Sequence, residues 1–394
     1  MVMYEEKALT ILGSTGSIGC STLDVARKLR GIIRILAMGA GKNMELFAKQ
    51  IKEFHPLLVS VYGEKERNEL KNRLNGYHEK LEIVIGREGL KSVATYPQSH
   101  IVVSAISGAA GLWPTYWAVC AGKTIALSNK ESLVMAGNII MNKARENGAT
   151  ILPIDSEHEA IYRCLCGRHG NDVRKIILTA SGGPFWEMPI EEMKDITSSQ
   201  ALNHPIWKMG QKVTIDSATM MNKGLEIIEA KWLFTVGITQ IDILIHPQCI
   251  IHSMVEYKDG SAMALLSQPD MRFPIARALV YPDWPAIDLP LLDLTRIGEL
   301  SFHQPDFKKF PCLNLAYQVA QSDESMAVVL NAANEVAVSS FCSKRINFLD
   351  IPKIIEVCLN EHAPQALIDI EDAFEIDRWA RDRAQHIIDK GDLT

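Results

Sequence analysis

The sequence has no run of 18 uninterrupted apolar residues, the length a helix needs to cross a bilayer, so no membrane span is expected. It has no basic block either. With 41 basic and 47 acidic side chains the net charge is -6, which argues against nucleic acid or an anionic membrane surface as the main partner. The opening "MVMYEEKALTIL" is acidic before its apolar run, which is the wrong charge for a secretory signal.

The chain also lacks a recognisable cysteine pattern. Eight cysteines are scattered over 394 residues without the spacing of a disulfide framework or a zinc site, and Cys164 with Cys166 is too little alone. Reduced thiols in the cytoplasm are the preferred interpretation. Internal repeats and low-complexity tracts are also missing. A composition of 47% hydrophobic and 22% charged residues is that of globular domains, and the length predicts two or three of them.

The first part of the chain alternates between two patterns. Short apolar runs ("ALTIL", "IIRILAM", "LLVSVY", "LEIVI", "IVVSA", "TIAL") are separated by segments of helical periodicity, of which "NMELFAKQIKEF" is the clearest. Strands buried on both faces between amphipathic helices are typical of a doubly wound parallel sheet. The fold class predicted is therefore α/β, with a Rossmann-like domain over residues 1–154.

Beyond residue 154 the pattern changes. Residues 155–281 hold four further strand candidates ("RKIILTA", "IDILIHP", "IIHSMVEY", "SAMALLS") among motif-rich loops, which predicts a central α+β catalytic domain. Residues 282–312 contain several prolines, which exclude long helices and predict an extended linker. Residues 313–394 have helical periodicity, strongest in "ESMAVVLNAANEVAVSSF" and "FEIDRWARDRAQHIID", and predict a C-terminal helical domain.

A glycine-rich turn follows the first strand candidate. In "LTILGSTGSIGCSTLDVARKL" the glycines are Gly13, Gly16 and Gly19, ahead of a helix predicted to start near Ser21. Glycines allow a tight turn and let the backbone approach a pyrophosphate, whose charge then meets the helix N-terminus. The spacing is a variant of the usual fingerprint and would be weak alone. Its position at the start of the alternating series favours a dinucleotide over a plain strand-turn-helix corner.

The choice between NAD and NADP depends on the end of the second strand. NAD selection is signalled by an acidic residue about 20 residues after the glycines, and none is present. The sequence there is "AMGAGKNM", which offers Lys42 and Asn43 beside small residues. This pattern favours the 2'-phosphate of NADP, with a solvated lysine as the alternative.

Two carboxylates in "LPIDSEHEAIYRC" follow an apolar run directly. If the chain is still extended there, Asp155 and Glu157 project to the same side and repel each other, so they need a proton, a cation or a substrate. Together with Glu226 in "TIDSATMMNKGLEIIEAKW" they offer hard oxygen ligands for Mg²⁺ or Mn²⁺. An alternative of equal weight is that Asp155 caps a helix beginning near His158, while Glu157 and Glu226 face solvent.

A phosphate-binding surface is indicated by small hydroxyl side chains, an amide side chain and one lysine. They are Ser181 in "TASGGPFW", with two following glycines, and Ser217, Asn222 and Lys223 ahead of a helix predicted from Gly224 to Leu233. A glycine turn and an ordinary helix start would explain each piece separately, but not their association.

Two loops complete the set of motifs. In "LNHPIWKMG", His204 and Trp207 flank a proline, which suits a mobile lid over a ligand, although a half-buried Trp anchoring the loop is the commoner structure. "SNKESLVMAG" follows the strand candidate "TIAL" and puts three polar residues at its carboxyl end, where open parallel sheets bind ligands: Asn129, Lys130 and Glu131. His246 and His252 are assigned no role.

With these motifs in order, the chain resembles the 1-deoxy-D-xylulose 5-phosphate reductoisomerase family. The resemblance runs through "GSTGSIG", "AGKN", "SNKESLV", "DSEH", "SGGPF", "HPIWKMG", "DSATMMNKGLE" and "NAANEVAV", so it spans nearly the whole chain. It implies a homodimer that rearranges a phosphorylated deoxy sugar to an aldehyde and reduces it with NADPH to 2-C-methyl-D-erythritol 4-phosphate, for isoprenoid precursors. Lys208 and Trp186 depart from the family pattern, at positions that bear on lid dynamics and on the charge at the substrate entrance.

The resemblance also implies residue roles. The NADPH contacts would be Thr15, Gly16, Ser17, Ile18, Gly41, Lys42, Asn43, Asn129, Glu131 and Gly210. The ligands of Mg²⁺ or Mn²⁺ would be Asp155, Glu157 and Glu226. The substrate contacts would be Lys130, Ser156, Glu157, Ser181, His204, Trp207, Ser217, Asn222, Lys223 and Glu226. The catalytic residues would be Asp155, Glu157, Glu226, Lys130 and His204.

Two other functions compete with this one. The first is a metal-independent NADP-dependent semialdehyde dehydrogenase with Cys120 or Cys164 as the nucleophile. The second is a non-catalytic NADPH-binding protein, which would leave the three carboxylates and the phosphate-type motif without a role.

Overall fold

The computed structural model describes residues 6–77, 80–167, 172–283 and 286–391, which form two compact units. The first comprises Met1–Asn129, Ile140–Glu159 and Asp270–Pro290, and the second comprises Lys130–Ile139, Ala160–Pro269 and Leu291–Thr394. The four domains inferred from the sequence stay a prediction. The units follow a different division, because the C-terminal helices belong to the same unit as the central strands.

A parallel sheet of seven strands forms the centre of the first unit. Its order is β4-β3-β2-β1-β5-β6-β7. The strands are β1 (Lys7–Leu12), β2 (Ile33–Gly39), β3 (Leu58–Val61), β4 (Glu82–Ile85), β5 (Ile101–Ser104), β6 (Thr124–Leu127) and β7 (Thr150–Pro153). Strand order reverses between β1 and β5, and ligands of such sheets bind beyond the carboxyl ends of the strands at this reversal. The predicted doubly wound sheet is confirmed.

Helices connect these strands. The helices of the first unit are α1 (Ser17–Lys28), α2 (Met44–Phe54), α3 (Glu64–Arg73), α4 (Gly86–Ala94), α5 (Leu112–Cys120) and α11 (Arg272–Val280). Two more pass from one unit into the other along the chain: α6 (Lys130–Asn147) and α7 (Ser156–Leu165). In α2, Met44, Phe47 and Ile51 are buried at helical spacing and Asn43 caps the first turn, so the predicted amphipathic helix is confirmed.

The second unit contains a smaller, mixed sheet. Its order is β11-β10-β8-β9, with β8 and β9 parallel and the other pairs antiparallel. The strands are β8 (Val173–Ala180), β9 (Ile241–Ile245), β10 (Ile251–Tyr257) and β11 (Ala262–Leu266). All four coincide with predicted strands.

Eight helices that the structure describes lie wholly in the second unit. They are α8 (Ser198–Ala201), α9 (Gln211–Ala218), α10 (Met221–Phe234), α12 (Leu294–Ile297), α13 (Pro311–Ala320), α14 (Glu324–Cys342), α15 (Asp350–Glu361) and α16 (Ile370–Lys390). Among the described residues only α14 has the length and hydropathy of a membrane span, and 72% of it is buried inside the protein. Such burial is that of a core helix.

Candidate active site

The glycine-rich turn joins β1 to α1 in the first unit. The helix begins at Ser17, four residues before the predicted start, because Gly16 already has the extended conformation of a cap residue. No side-chain oxygen of the described chain caps this helix, and Gly16 and Ser17 are exposed. The first N–H groups of α1 are therefore presented to an anion, as a bound pyrophosphate requires. Thr15 and Ile18 flank them and are half-buried.

Gly19 explains why the turn can be so tight. A Cβ at this buried position would lie 2.3 Å from the carbonyl oxygen of Gly13 and 2.5 Å from the Cα of Ser14. Both are backbone atoms that cannot move aside as a side chain could. The glycine thus lets the helix pack directly on the turn, which is the role of the third glycine in dinucleotide-binding fingerprints.

The end of β2 carries the candidates for the 2'-phosphate. Gly41, Lys42 and Asn43 are all exposed, and the Ala40 N–H donates to the carbonyl of Ser60 at the end of β3. Asn43 also caps α2, since its Oδ1 accepts from the Leu46 N–H at 3.0 Å. With an exposed ammonium and no acidic side chain in this segment, the residues present fit a phosphate and do not fit a ribose 2'-hydroxyl recognised by a carboxylate.

Asn129 is the last cofactor candidate along the chain in the first unit. It follows β6 and is buried, and its Nδ2 donates to the carbonyl of Gly108 at 3.0 Å, in the loop after β5. This bond ties together the carboxyl ends of two neighbouring strands. The side chain therefore helps to shape the strand ends where the fold class binds its ligands.

The acidic stretch after β7 is not extended. The strand ends at Pro153 and α7 begins at Ser156, so the extended conformation considered for Asp155 and Glu157 is wrong. The helix also begins two residues before His158, and Asp155 directly precedes its first residue. Ser156 Oγ donates to Glu157 Oε2 at 2.7 Å, and both carboxylates are half-buried.

In the second unit, Glu226 on α10 is 1% exposed, so the alternative in which it faces solvent is wrong. Its Oε1 accepts from Lys130 Nζ at 3.0 Å and from Asn222 Nδ2 at 2.5 Å, and its Oε2 accepts from Lys223 Nζ at 2.5 Å. Lys130 Nζ also donates to Asn222 Oδ1 at 2.8 Å. Two ammonium groups and an amide thus offset the cost of burying this carboxylate, and four site candidates are brought together.

The helix carrying this cluster starts earlier than its sequence indicates. It begins at Met221, so Asn222 and Lys223 lie in its first turn and do not precede it. Ser217 does precede this helix, as expected, and lies within α9. Met220 joins the two helices with a φ of 61°, in the left-handed region. This sharp corner allows a new helix to begin only three residues after α9 ends, which sequence periodicity does not reveal.

A second cluster is centred on Ser181, after β8. Gly182 and Gly183 have φ values of 82° and 68°, so the chain turns back and the Gly183 N–H donates to Ser181 Oγ at 3.1 Å. His204 Nε2 lies 3.0 Å from the same hydroxyl oxygen. The serine predicted to bind phosphate and the histidine of the predicted lid are therefore hydrogen-bonded to each other.

The protonation state of His204 follows from its contacts. Its Nδ1 accepts from the backbone N–H groups of Ile206 and Trp207, at 3.2 and 2.9 Å, so the ring proton is on Nε2. Burial lowers the pKa of His204 to about 4, and the imidazole is neutral at pH 7.

Trp207, in the same loop, is half-buried, with its ring centroid 6.4 Å from that of His252. Gly210 is exposed directly before α9.

One group of buried charges was missed from the sequence. Lys212 Nζ lies 2.7 Å from Glu131 Oε1 and 2.9 Å from Asp216 Oδ2. Glu131 was predicted to contact NADPH, and one of its carboxylate oxygens is bonded by this lysine. The spacing of Lys212 and Asp216, one helical turn apart within "QKVTIDSA", was the available signal.

Models of one protein family match three segments of the chain. The one described as 1-deoxy-D-xylulose 5-phosphate reductoisomerase matches residues 9–137, and two described as C-terminal domains of this enzyme match residues 151–234 and 266–383. The chain belongs to the 1-deoxy-D-xylulose 5-phosphate reductoisomerase family. Two relatives with this name come from Citrifermentans bemidjiense (50% identity, 98% of this chain and 100% of the relative) and Chlorobium phaeobacteroides (49% identity, 98% and 100%).

Solved structures of the family share the whole fold. A reductoisomerase in complex with NADPH, fosmidomycin and magnesium has a TM-score of 0.93 at 40% identity, covering 97% of this chain and 98% of that one. The Zymomonas mobilis enzyme in complex with NADPH has a TM-score of 0.90 at 41% identity, covering 98% and 99%. The family and the fold class inferred from the sequence are thereby confirmed.

The two departures from the family pattern lie in the second unit. The half-buried Trp186 has its ring centroid 4.9 Å from that of His303, and its carbonyl accepts from Lys309 Nζ. Lys208 is exposed. Trp186 thus anchors the segment after the glycine turn through a tilted ring contact with His303 and a charge-assisted hydrogen bond from Lys309.

Proposed function

We propose that this protein converts 1-deoxy-D-xylulose 5-phosphate to 2-C-methyl-D-erythritol 4-phosphate, with NADPH and Mg²⁺ or Mn²⁺, for isoprenoid precursor synthesis. The observation that carries the proposal is the buried Glu226 carboxylate with Lys130, Asn222 and Lys223 bonded around it. A surface of this kind has donors for substrate oxygens beside a hard oxygen ligand. Family membership supports the same reaction.

The residues fit both cofactors. For NADPH the fit rests on the uncapped first turn of α1 and on exposed Lys42 at the end of β2. For a divalent ion it rests on donor chemistry: Asp155, Glu157 and Glu226 supply carboxylate oxygens, which Mg²⁺ and Mn²⁺ prefer. When bound, the ion supplies Lewis-acid polarisation of substrate oxygens and NADPH supplies the hydride.

The protein's own contribution is orientation and donation of hydrogen bonds. Lys130 and Asn222 can donate to the substrate's carbonyl and hydroxyl oxygens as charge develops there during the rearrangement. The Ser181 hydroxyl and the Nε2–H of the neutral His204 are donors suited to the phosphate region, to which we also assign Ser217 and Lys223. Trp207 would cover the bound substrate and exclude water.

The first test follows NADPH oxidation by the purified protein with 1-deoxy-D-xylulose 5-phosphate. Turnover is expected with Mg²⁺ or Mn²⁺. Chelation should lower it at least about 100-fold, because Lewis-acid stabilisation is worth several kcal/mol and 1.36 kcal/mol corresponds to a factor of ten. Adding either ion back should restore it, and the product should be 2-C-methyl-D-erythritol 4-phosphate.

Two results would count against the proposal. Turnover that survives chelation would favour the metal-independent dehydrogenase. Of its two candidate nucleophiles, Cys164 is buried and poorly placed, whereas Cys120 is exposed. Tight NADPH binding without turnover under any metal would favour the non-catalytic binding protein.

We also propose that the protein is a cytoplasmic homodimer. None of the eight cysteines is in a disulfide, which suits a reducing compartment. In the second sheet, β11 is an edge strand, and its Met263 side chain is 40% exposed between two exposed alanines. An apolar edge of this kind pairs readily with another chain.

Light scattering should give twice the chain mass of 43.9 kDa. Met263→Lys is expected to shift the protein toward the monomer, because a charge on the edge strand opposes pairing. Tyr62→Lys, at an exposed aromatic of the first unit, is the matched control and should leave the mass unchanged. A wild-type monomer at micromolar concentration would contradict the proposal.

A further inference from the structure

Lys212 is a largely buried cation for which the proposed reaction has no use. Its side chain is 17% exposed, on α9, and its ammonium lies between the carboxylates of Glu131 and Asp216, both fully buried. An ion pair withdrawn from water is costly to assemble and costs more still when one partner is removed. A buried arrangement of one lysine with two acids therefore holds three side chains in one geometry.

The C-terminal helices complete this arrangement. Asn334 on α14 is buried, and its Nδ2 donates to Asp216 Oδ1 at 2.8 Å. The next residue, Glu335, accepts from Arg381 on α16 at 2.6 Å. Both belong to the late motif "NAANEVAV", for which the reaction supplied no role. Asp216 is thus oriented from α14 and holds Lys212 together with Glu131.

Electrostatics identify the stronger pair. Burial acts to lower the pKa of Lys212, but the charges of Asp216, Glu131 and Glu335 outweigh it and raise that pKa. Burial acts to raise the pKa of Glu131, but the ammonium of Lys212 outweighs it and lowers that pKa. The pKa of Asp216 is raised by burial in spite of its bonds to Lys212 and Asn334. The Asp216 carboxylate thus contributes more than Glu131 to stabilising the Lys212 ammonium, and that ammonium in turn keeps the buried Glu131 carboxylate charged.

Glu131 stands next to a residue of the site. Lys130 and Glu131 open α6, whose helical geometry is interrupted at Ala136. Side-chain hydrogen bonds connect the start of α6 to α9 and α10: Lys130 Nζ donates to the Asn222 and Glu226 side chains, and Lys212 Nζ donates to Glu131. Since consecutive helical residues point about 100° apart, holding Glu131 fixes the direction in which Lys130 leaves the helix.

We propose that Lys212 is a positioning residue, which holds Glu131 so that the first turn of α6 directs Lys130 toward Asn222 and Glu226. It acts through Glu131 and Lys130 and does not itself touch the substrate. Lys212 also lies two residues after Gly210, so the same pair anchors the end of the loop that carries His204 and Trp207. This inference rests on the proposed function for its effect on turnover, but not for its effect on Lys130.

The test compares Lys212→Met with Lys212→Arg and with Lys175→Met. Lys175 pairs with Asp242 on β9 in the same unit, at 2.6 Å, so its methionine variant is a control for losing a lysine ion pair away from the site. Steady-state kinetics give kcat and KM. Amine-reactive labelling followed by peptide mass spectrometry reports how accessible Lys130 is, whether or not the protein turns over substrate.

Lys212→Met should lower kcat about 10–100-fold, the usual effect of removing a residue that orients a ligating or reacting group. Lys130 should be labelled several-fold faster than in wild type, because a Lys130 side chain that is no longer held against Asn222 and Glu226 is more accessible to the reagent. Lys212→Arg keeps the charge and should recover most of both properties. Lys175→Met should match wild type in both.

The inference is overturned if Lys212→Met leaves kcat and Lys130 labelling as in wild type, or if Lys175→Met changes them equally. If Lys212→Met does not fold, Asp216→Asn replaces it, because the amide keeps the volume and loosens the lysine. Unchanged kcat and labelling in that folded variant would equally overturn the inference. If the wild-type protein shows no turnover but Lys130 is labelled faster in Lys212→Met, the proposed function is wrong and the positioning role of Lys212 is supported.

Discussion

Replacing Glu226 by glutamine should abolish turnover almost completely while leaving NADPH binding intact. The substitution keeps the shape of the side chain but removes a negative charge around which Lys130, Asn222 and Lys223 are bonded. Two buried ammonium groups would lose their counter-charge and a divalent ion would lose a ligand. With several kcal/mol of Lewis-acid stabilisation at stake, kcat should fall at least about 1,000-fold.

The design of this experiment separates chemistry from folding. Glu256→Gln, which breaks the ion pair with Arg174 on the same unit's sheet, is the matched control and should keep wild-type kcat. Glu226→Asp should retain part of the activity and need more Mn²⁺ to reach it, because a carboxylate is still present but set back by one methylene. NADPH affinity, read from its fluorescence, should be the same in all variants. A Glu226→Gln protein with wild-type kcat would refute the assigned metal ligand.

Gly19→Ala is expected to have the second-largest effect, on NADPH affinity and on stability. Helix propensity alone predicts a gain of about 1 kcal/mol for alanine inside α1. The structure predicts a loss of stability instead. The added Cβ would meet the Gly13 carbonyl oxygen at 2.3 Å, and forcing such a contact apart costs about 1–3 kcal/mol or more. The displaced atoms belong to the turn that would hold the pyrophosphate. NADPH affinity should therefore fall at least about 10-fold.

Gly41→Ala provides the comparison for stability. Gly41 is exposed, and no atom lies within 4 Å of the Cβ it would gain. The midpoint of thermal unfolding of Gly41→Ala should therefore stay close to that of wild type. That of Gly19→Ala should drop by several degrees, because the close contact destabilises the folded state by about 1–3 kcal/mol. If Gly19→Ala were as stable as wild type and bound NADPH equally well, the close packing of α1 on the turn could not be the reason for the glycine.

Secondary structure and family could be inferred from local pattern. Six apolar runs became β1 to β6 because a strand buried on both faces needs continuous apolar residues, and this requirement is met within a few positions. The helix starts were less accurate. At α10 the chain turns through Met220 in the left-handed region, a conformation set by packing around the corner. Asn222 and Lys223 were thus expected before the helix in which they lie.

The sequence by itself determined the alternating strands and helices, the glycine turn, the family and the residue types available for chemistry. Only the tertiary structure decided which of them meet. Lys130 bonds to Glu226 across 96 positions of sequence, and Asn334 bonds to Asp216 across 118. Glutamate, lysine and asparagine residues are usually solvated, so no local pattern marks these as buried. Their ionic and hydrogen-bonding partners become known only when distant helices pack and exclude water from the charges between them.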